Sequence, residues 1–149
     1  MVRRASDGTF TIRIGEEERE VIGALAEQLR ELLLSEQTEG LERLFPPGYA
    51  NDPDRDQEYQ QLTHDELLTK RLDSIDVVER TIEATSLTED ELNAWMGAVN
   101  DLRLVLGTRL DVTEDMDHIE LDDERGYAYH LYQYLTYVLS EILEAVSTY

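Results

Sequence analysis

With 149 residues, 41% of them hydrophobic, the chain has the length of one ordinary domain and enough apolar material to bury a core. Thirteen basic against 34 acidic side chains leave a net charge of -21, which repels DNA, RNA and anionic membrane surfaces and sets nucleic-acid and membrane binding aside. There is no cysteine, which excludes disulfides, thiol catalysis and cysteine-ligated metals.

The N-terminal MVRRASDGTF carries positive charge with no apolar run behind it, so it does not read as a secretory signal. No stretch approaches the roughly 18 apolar residues of a membrane span. The expectation is a cytoplasmic protein with residues 1–8 mobile. Residues 9–14, TFTIRI, alternate apolar and polar side chains and predict a short strand. With no partner strand evident, it reads as an extended arm laid across a helix.

From Glu16 to Glu36, Val21, Ile22, Leu25, Leu29, Leu32 and Leu33 follow helical spacing, and the acidic residues at 16, 17, 18 and 20 suit the positive end of a helix dipole. A short helical piece at 41–45 is stopped by Pro46, Pro47 and Gly48, and 46–62 reads as a loop. Thr63–Glu66 and Thr88–Glu91 both have the spacing of a capping box and predict two helix starts. An acidic connector at 111–124 precedes a last helix at about 125–147. The fold class is thus all-α: one domain over 1–149, a helical bundle of about four long helices with a short N-terminal extended arm.

The helix after Thr88 raises the sharpest question. Its face centred on Val99 gathers Leu92, Trp95, Met96, Leu102, Leu106 and Leu110, and Arg103 falls about 40° from that centre at 100° per residue. Arg109 and Asn100 lie on its flanks, with Asp101 toward the back, and the helix is apolar nearly all round. A guanidinium on a buried stripe needs a carboxylate. On the preceding helix Glu79 sits inside the apolar face centred on Ile75, which predicts a Glu79–Arg103 pair with Asn100 or a backbone carbonyl taking the remaining donors. The cluster Arg103, Glu79, Asn100 and Arg109 reads as a structural ion-pair network. The alternative is an anion pocket lined by Arg103, Asn100 and Arg109.

Other chemistry finds little support. The carboxylates Asp111, Asp115 and Asp117 lack the order and the glycine of a calcium loop. His64, His118 and His130 form no zinc motif, no GxSxG or phosphate-binding glycine loop is present, and no catalytic residue, metal or cofactor is assigned. On the last helix a flank of Tyr129, Tyr132, Leu139 and Leu143 runs beside the apolar face, a composition suited to a protein interface.

The block LNAWMGAVNDLRLVLGTRLDVTED, with LERLFPPGY and LTHDELLTKRLDSIDVV, resembles the actinobacterial family known as domain of unknown function two thousand and seventeen. The resemblance covers most of the chain, and NDLRLVLGTRL is its most specific part. It implies a cytoplasmic protein commonly encoded beside the ClpS protease adaptor. Some members are regarded as redox-responsive transcriptional regulators that depend on a cysteine pair, a mechanism this cysteine-free chain does not share. Residues and resemblance together predict a non-enzymatic regulatory or adaptor protein that binds a protein partner or a second copy of itself. The alternative is a binder of small anions, or an enzyme, at the Arg103 region. Imitation of DNA fits the charge but no spacing of carboxylates.

Overall fold

A computed structural model describes residues 1–35, 44, 53–110 and 123–147, with backbone alone at 53–62, 109–110 and 123–125. The elements in chain order are β1 (Val2–Arg4), β2 (Phe10–Ile12), α1 (Glu16–Leu34), α2 (Pro53–Arg80), β3 (Ser86–Leu87), α3 (Glu89–Leu110) and α4 (Asp123–Ser147). Four long helices form an all-α bundle with a small strand region at the N-terminus, as the periodicity predicts.

The N-terminal arm differs from expectation in an instructive way. TFTIRI supplies the middle strand of a three-stranded antiparallel sheet of order β1-β2-β3. Residues 1–8, expected to be mobile, supply β1 and the turn that folds it back, pairing Val2 with Ile12 and Arg4 with Phe10. The turn is made by Asp7, whose carboxylate accepts from the Thr9 amide at 3.0 Å and the Thr9 hydroxyl at 2.6 Å, and by Gly8 at φ 88°. A side chain at Gly8 would be strained. β2 pairs on its other side with β3, which lies between α2 and α3, so the sheet ties the N-terminus to the middle of the chain. Its apolar side chains Val2, Phe10, Ile12 and Leu87 join the core.

α2 begins at Pro53, ten residues before the predicted start at Thr63. Proline suits a first helical position, where its missing N–H would find no partner. The Thr63–Glu66 spacing therefore lies inside the helix, and residues 53–62 of the loop expected at 46–62 are helical. The second predicted box does form: the Thr88 amide donates to Glu91 Oε1 at 2.8 Å, and the Glu91 amide donates to Thr88 Oγ1 at 3.1 Å. The helical piece expected at 41–45 and the connector at 111–122 lie outside the described residues, apart from Leu44, which is buried.

α3 is the central element, packing against α4 and α2 and touching α1. It contributes Leu92, Trp95, Ala98, Val99, Leu102 and Val105 to the core, more than a single stripe. Trp95 is buried without a polar orphan: its indole Nε1 donates to Thr81 Oγ1 at 2.7 Å, and that hydroxyl donates on to the Val77 carbonyl at 2.6 Å.

Candidate functional site

The polar side chains that cross helix interfaces show how the charged residues are used. Arg71 on α2 reaches Asp101 on α3; its Nη1 donates to Asp101 Oδ1 at 2.5 Å and its Nη2 to the Leu44 carbonyl at 2.9 Å. Asp101 is only 4% exposed. Burial pushes its carboxyl above the usual range, with the Arg71 charge and hydrogen bond pulling the other way. α1 joins α2 through Arg30 and Glu79, and joins the segment after α2 through Arg19, which reaches the Glu83 carboxylate at 3.1 Å. α1 joins α4 where the Tyr134 hydroxyl donates to Glu18 Oε2 at 2.8 Å. Burial, then Glu18, raises the Tyr134 hydroxyl well above the ordinary tyrosine value.

The expected Glu79–Arg103 pair is not formed. Glu79 turns to α1, its Oε1 lying 2.6 Å from Arg30 Nη1, a close charge contact out of line for a hydrogen bond. Both partners are about a third exposed, so solvent screens the pair. α2 and α3 do share a buried ion pair, but with the signs exchanged: the cation, Arg71, is on α2 and the anion, Asp101, on α3. Sequence reasoning placed Asp101 on the back of α3. The back of a central helix is covered by its neighbours, and the near-continuous apolar character of α3 was the signal for this.

Arg103 is half-buried on α3 and held by neutral groups. Nη2 donates to Asn100 Oδ1 at 3.2 Å, and Nη1 to the Tyr132 hydroxyl at 3.3 Å. The guanidinium carbon lies 5.9 Å from the Tyr132 ring centre, within cation–π range. Asn100 is one of the two alternatives expected for its remaining donors, and Tyr132 is a partner the helical spacing does not indicate. Among the described residues no carboxylate comes within ion-pair distance of Arg103, and its Nε is buried without a hydrogen-bond partner. The Arg109 side chain lies outside the described residues.

The α4 flank is divided. Tyr129 and Tyr132 stack with ring centres 6.4 Å apart, Tyr132 turned to Arg103. Leu139 packs partly buried against the core, and Leu143 is 46% exposed. The most exposed apolar side chains of α4 are Tyr127, Tyr137 and Leu143. Tyr127 and Tyr137 are about 15 Å apart along the axis, and Tyr137 and Leu143 about 120° apart around it. Singly scattered apolar groups of this kind are ordinary surface.

A concave surface lies instead between α2 and α3. It is a groove of about 590 Å³, open to solvent and mainly apolar, with Ser74, Val77 and Ala94 along it and Asp65, Glu66 and Asp73 on its α2 edge. Among the described residues, no group of three or more His, Cys, Asp or Glu side chains is placed to hold a metal, and no helix is long and apolar enough to cross a membrane. His64 and His130 are exposed, and His118 falls outside the described residues.

Comparison with known proteins agrees with the sequence resemblance. The chain is 41% identical over 61 residues to proteins named oxidative stress regulator AosR from Mycobacterium tuberculosis and Mycobacterium bovis. That similarity spans 40% of this chain and 28% of the relatives, so the chain matches less than a third of the length of these curated relatives. No solved structure matches the chain. The family model described as Domain of unknown function (DUF2017) matches residues 1–146, nearly the whole length, and the chain belongs to that family.

Proposed function

We propose that this chain is a regulatory protein that acts by binding another protein and carries out no catalysis. The similarity to a protein named an oxidative stress regulator is the observation that carries this reading. The net charge of -21 adds to it, because a strongly acidic surface steers association toward a basic partner and works against pairing of two like-charged copies. A regulatory protein of this kind would not use a thiol switch within this chain, which has no cysteine. Deleting the gene and challenging the cells with an oxidant tests the role. An altered expression response, restored by supplying the gene in trans, is the expected result, and an unchanged response would contradict it.

Arg103 favours a second reading, in which the protein binds a small anion. Its partners among the described residues are neutral, so the guanidinium retains charge for an incoming carboxylate or phosphate. Calorimetric titration with inorganic phosphate and acetate should give saturable heat that Arg103→Ala removes. Absence of heat with the unaltered protein would dismiss this reading.

A further inference from the structure

We infer that the groove between α2 and α3 is the docking surface for a basic amphipathic helix of a partner protein, an inference that rests on the protein-binding reading above. The groove has the two features that such a helix needs. Its exposed lining is more apolar than polar, with Val77 and the small residues Ala94 and Ser74 along it, and a Cβ added at the nearby Gly97 would be only in ordinary contact with Ser74 Oγ at 3.7 Å. Its α2 edge is acidic, with Asp65, Glu66 and Asp73 all exposed against one cation, Lys70. On α3, Asp90 is exposed one turn before Ala94 and extends the negative field at that end.

The dimensions set the occupant. From Asp65 to Val77 the groove follows α2 for about 18 Å, which is about three turns of a docked helix. An amphipathic helix fills such a channel with apolar residues at i, i+3 or i+4 and i+7. Lysine or arginine beside that stripe would meet Asp65, Glu66 and Asp73, while an acidic or neutral helix of the same shape would forgo that attraction. Among the described surfaces the groove joins apolar concavity with charge of one predominant sign, whereas the exposed tyrosines of α4 do not converge.

The test uses the full chain and a synthetic peptide of about three helical turns, with leucines on one face and lysines on the flanks. Its glutamate-flanked counterpart is the control. Amide chemical shifts should move mainly along 65–77 and 90–98 with the lysine peptide and stay still with the control. Asp73→Lys, a change at an exposed position, should weaken binding by about fivefold, and Ala94→Trp should block it by filling the floor. Shifts spread over the whole acidic surface, no binding of the lysine peptide, or affinity unchanged in both variants would overturn the inference. A native partner still captured by the Ala94→Trp protein, with its fold intact by circular dichroism, would also overturn the groove while leaving the protein-binding reading standing.

Discussion

Arg71 and Asp101 form the buried ion pair of the α2–α3 interface, with the Leu44 carbonyl taking a second donor of the same guanidinium. Asp101 is almost fully enclosed and the Arg71 side chain is 21% exposed. Removing one charge of such a pair leaves the other without compensation, which costs more than the pair itself contributes. We expect Asp101→Ala to lower stability by about 3 kcal/mol. Glu79→Ala, which breaks a pair about a third exposed, should cost within about 1 kcal/mol. Replacing both members, Arg71→Met with Asp101→Leu, should recover most of the loss. Urea denaturation of the four proteins measures this, and equal losses for the two alanine variants would contradict the assignment.

The same pair sets a pH dependence. The folded carboxyl of Asp101 binds its proton more tightly than the unfolded one, mainly because burial disfavours the charge. Its contribution is therefore fully present below the unfolded value of 3.8 and is lost as pH rises through the folded value. Repulsion among the 34 acidic side chains acts in the same direction. The urea midpoint should rise as pH falls toward the unfolded value of 3.8, with a shallower rise in Asp101→Asn. A midpoint that falls over that range would contradict both contributions.

Self-repulsion at a net charge of -21 also predicts a response to salt. Raising ionic strength to about 0.15 M shortens the screening length to roughly 8 Å and weakens repulsion between surface carboxylates more than it weakens the buried Arg71–Asp101 pair. The melting temperature should increase. A constant melting temperature between low and moderate salt would show that the carboxylates are too dispersed to matter.

Trp95 is the single tryptophan of the chain, and its indole N–H depends on Thr81. Thr81→Val keeps the shape and removes the acceptor, leaving a buried donor unsatisfied. The expected cost is about 1–3 kcal/mol, followed through the fluorescence of Trp95 itself. Loss of the Thr88 cap by Thr88→Ala should cost about 1 kcal/mol. A neutral Thr81→Val would mean that the indole N–H finds another acceptor.

The bundle was legible because amphipathic periodicity is a local property. Ile22, Leu29 and Leu33 on α1, and Leu135, Val138 and Ile142 on α4, are buried where helical spacing put them. The Thr88–Glu91 box was equally legible, since both partners lie within one turn. The sheet was not, because strands of two or three residues are specified by pairing across the chain, as between Thr11 and Ser86. The ion pairs failed for a related reason. A helical wheel gives the direction of a side chain but not which neighbour stands there, so Glu79 was assigned to α3 when α1 covers it. Asp101 falls on the back of the α3 wheel, on a helix that has little outside. Tyr132 falls on the flank of the α4 wheel, and its contact with Arg103 depends on how α4 lies against α3, which no local pattern encodes.

Affinity purification of the tagged protein from its native cells, at low and at physiological salt with mass-spectrometric identification, tests the protein-binding role most directly. We expect one partner in stoichiometric amount, retained at physiological salt and carrying a basic amphipathic helix. The absence of any stoichiometric partner at either salt concentration would contradict that role.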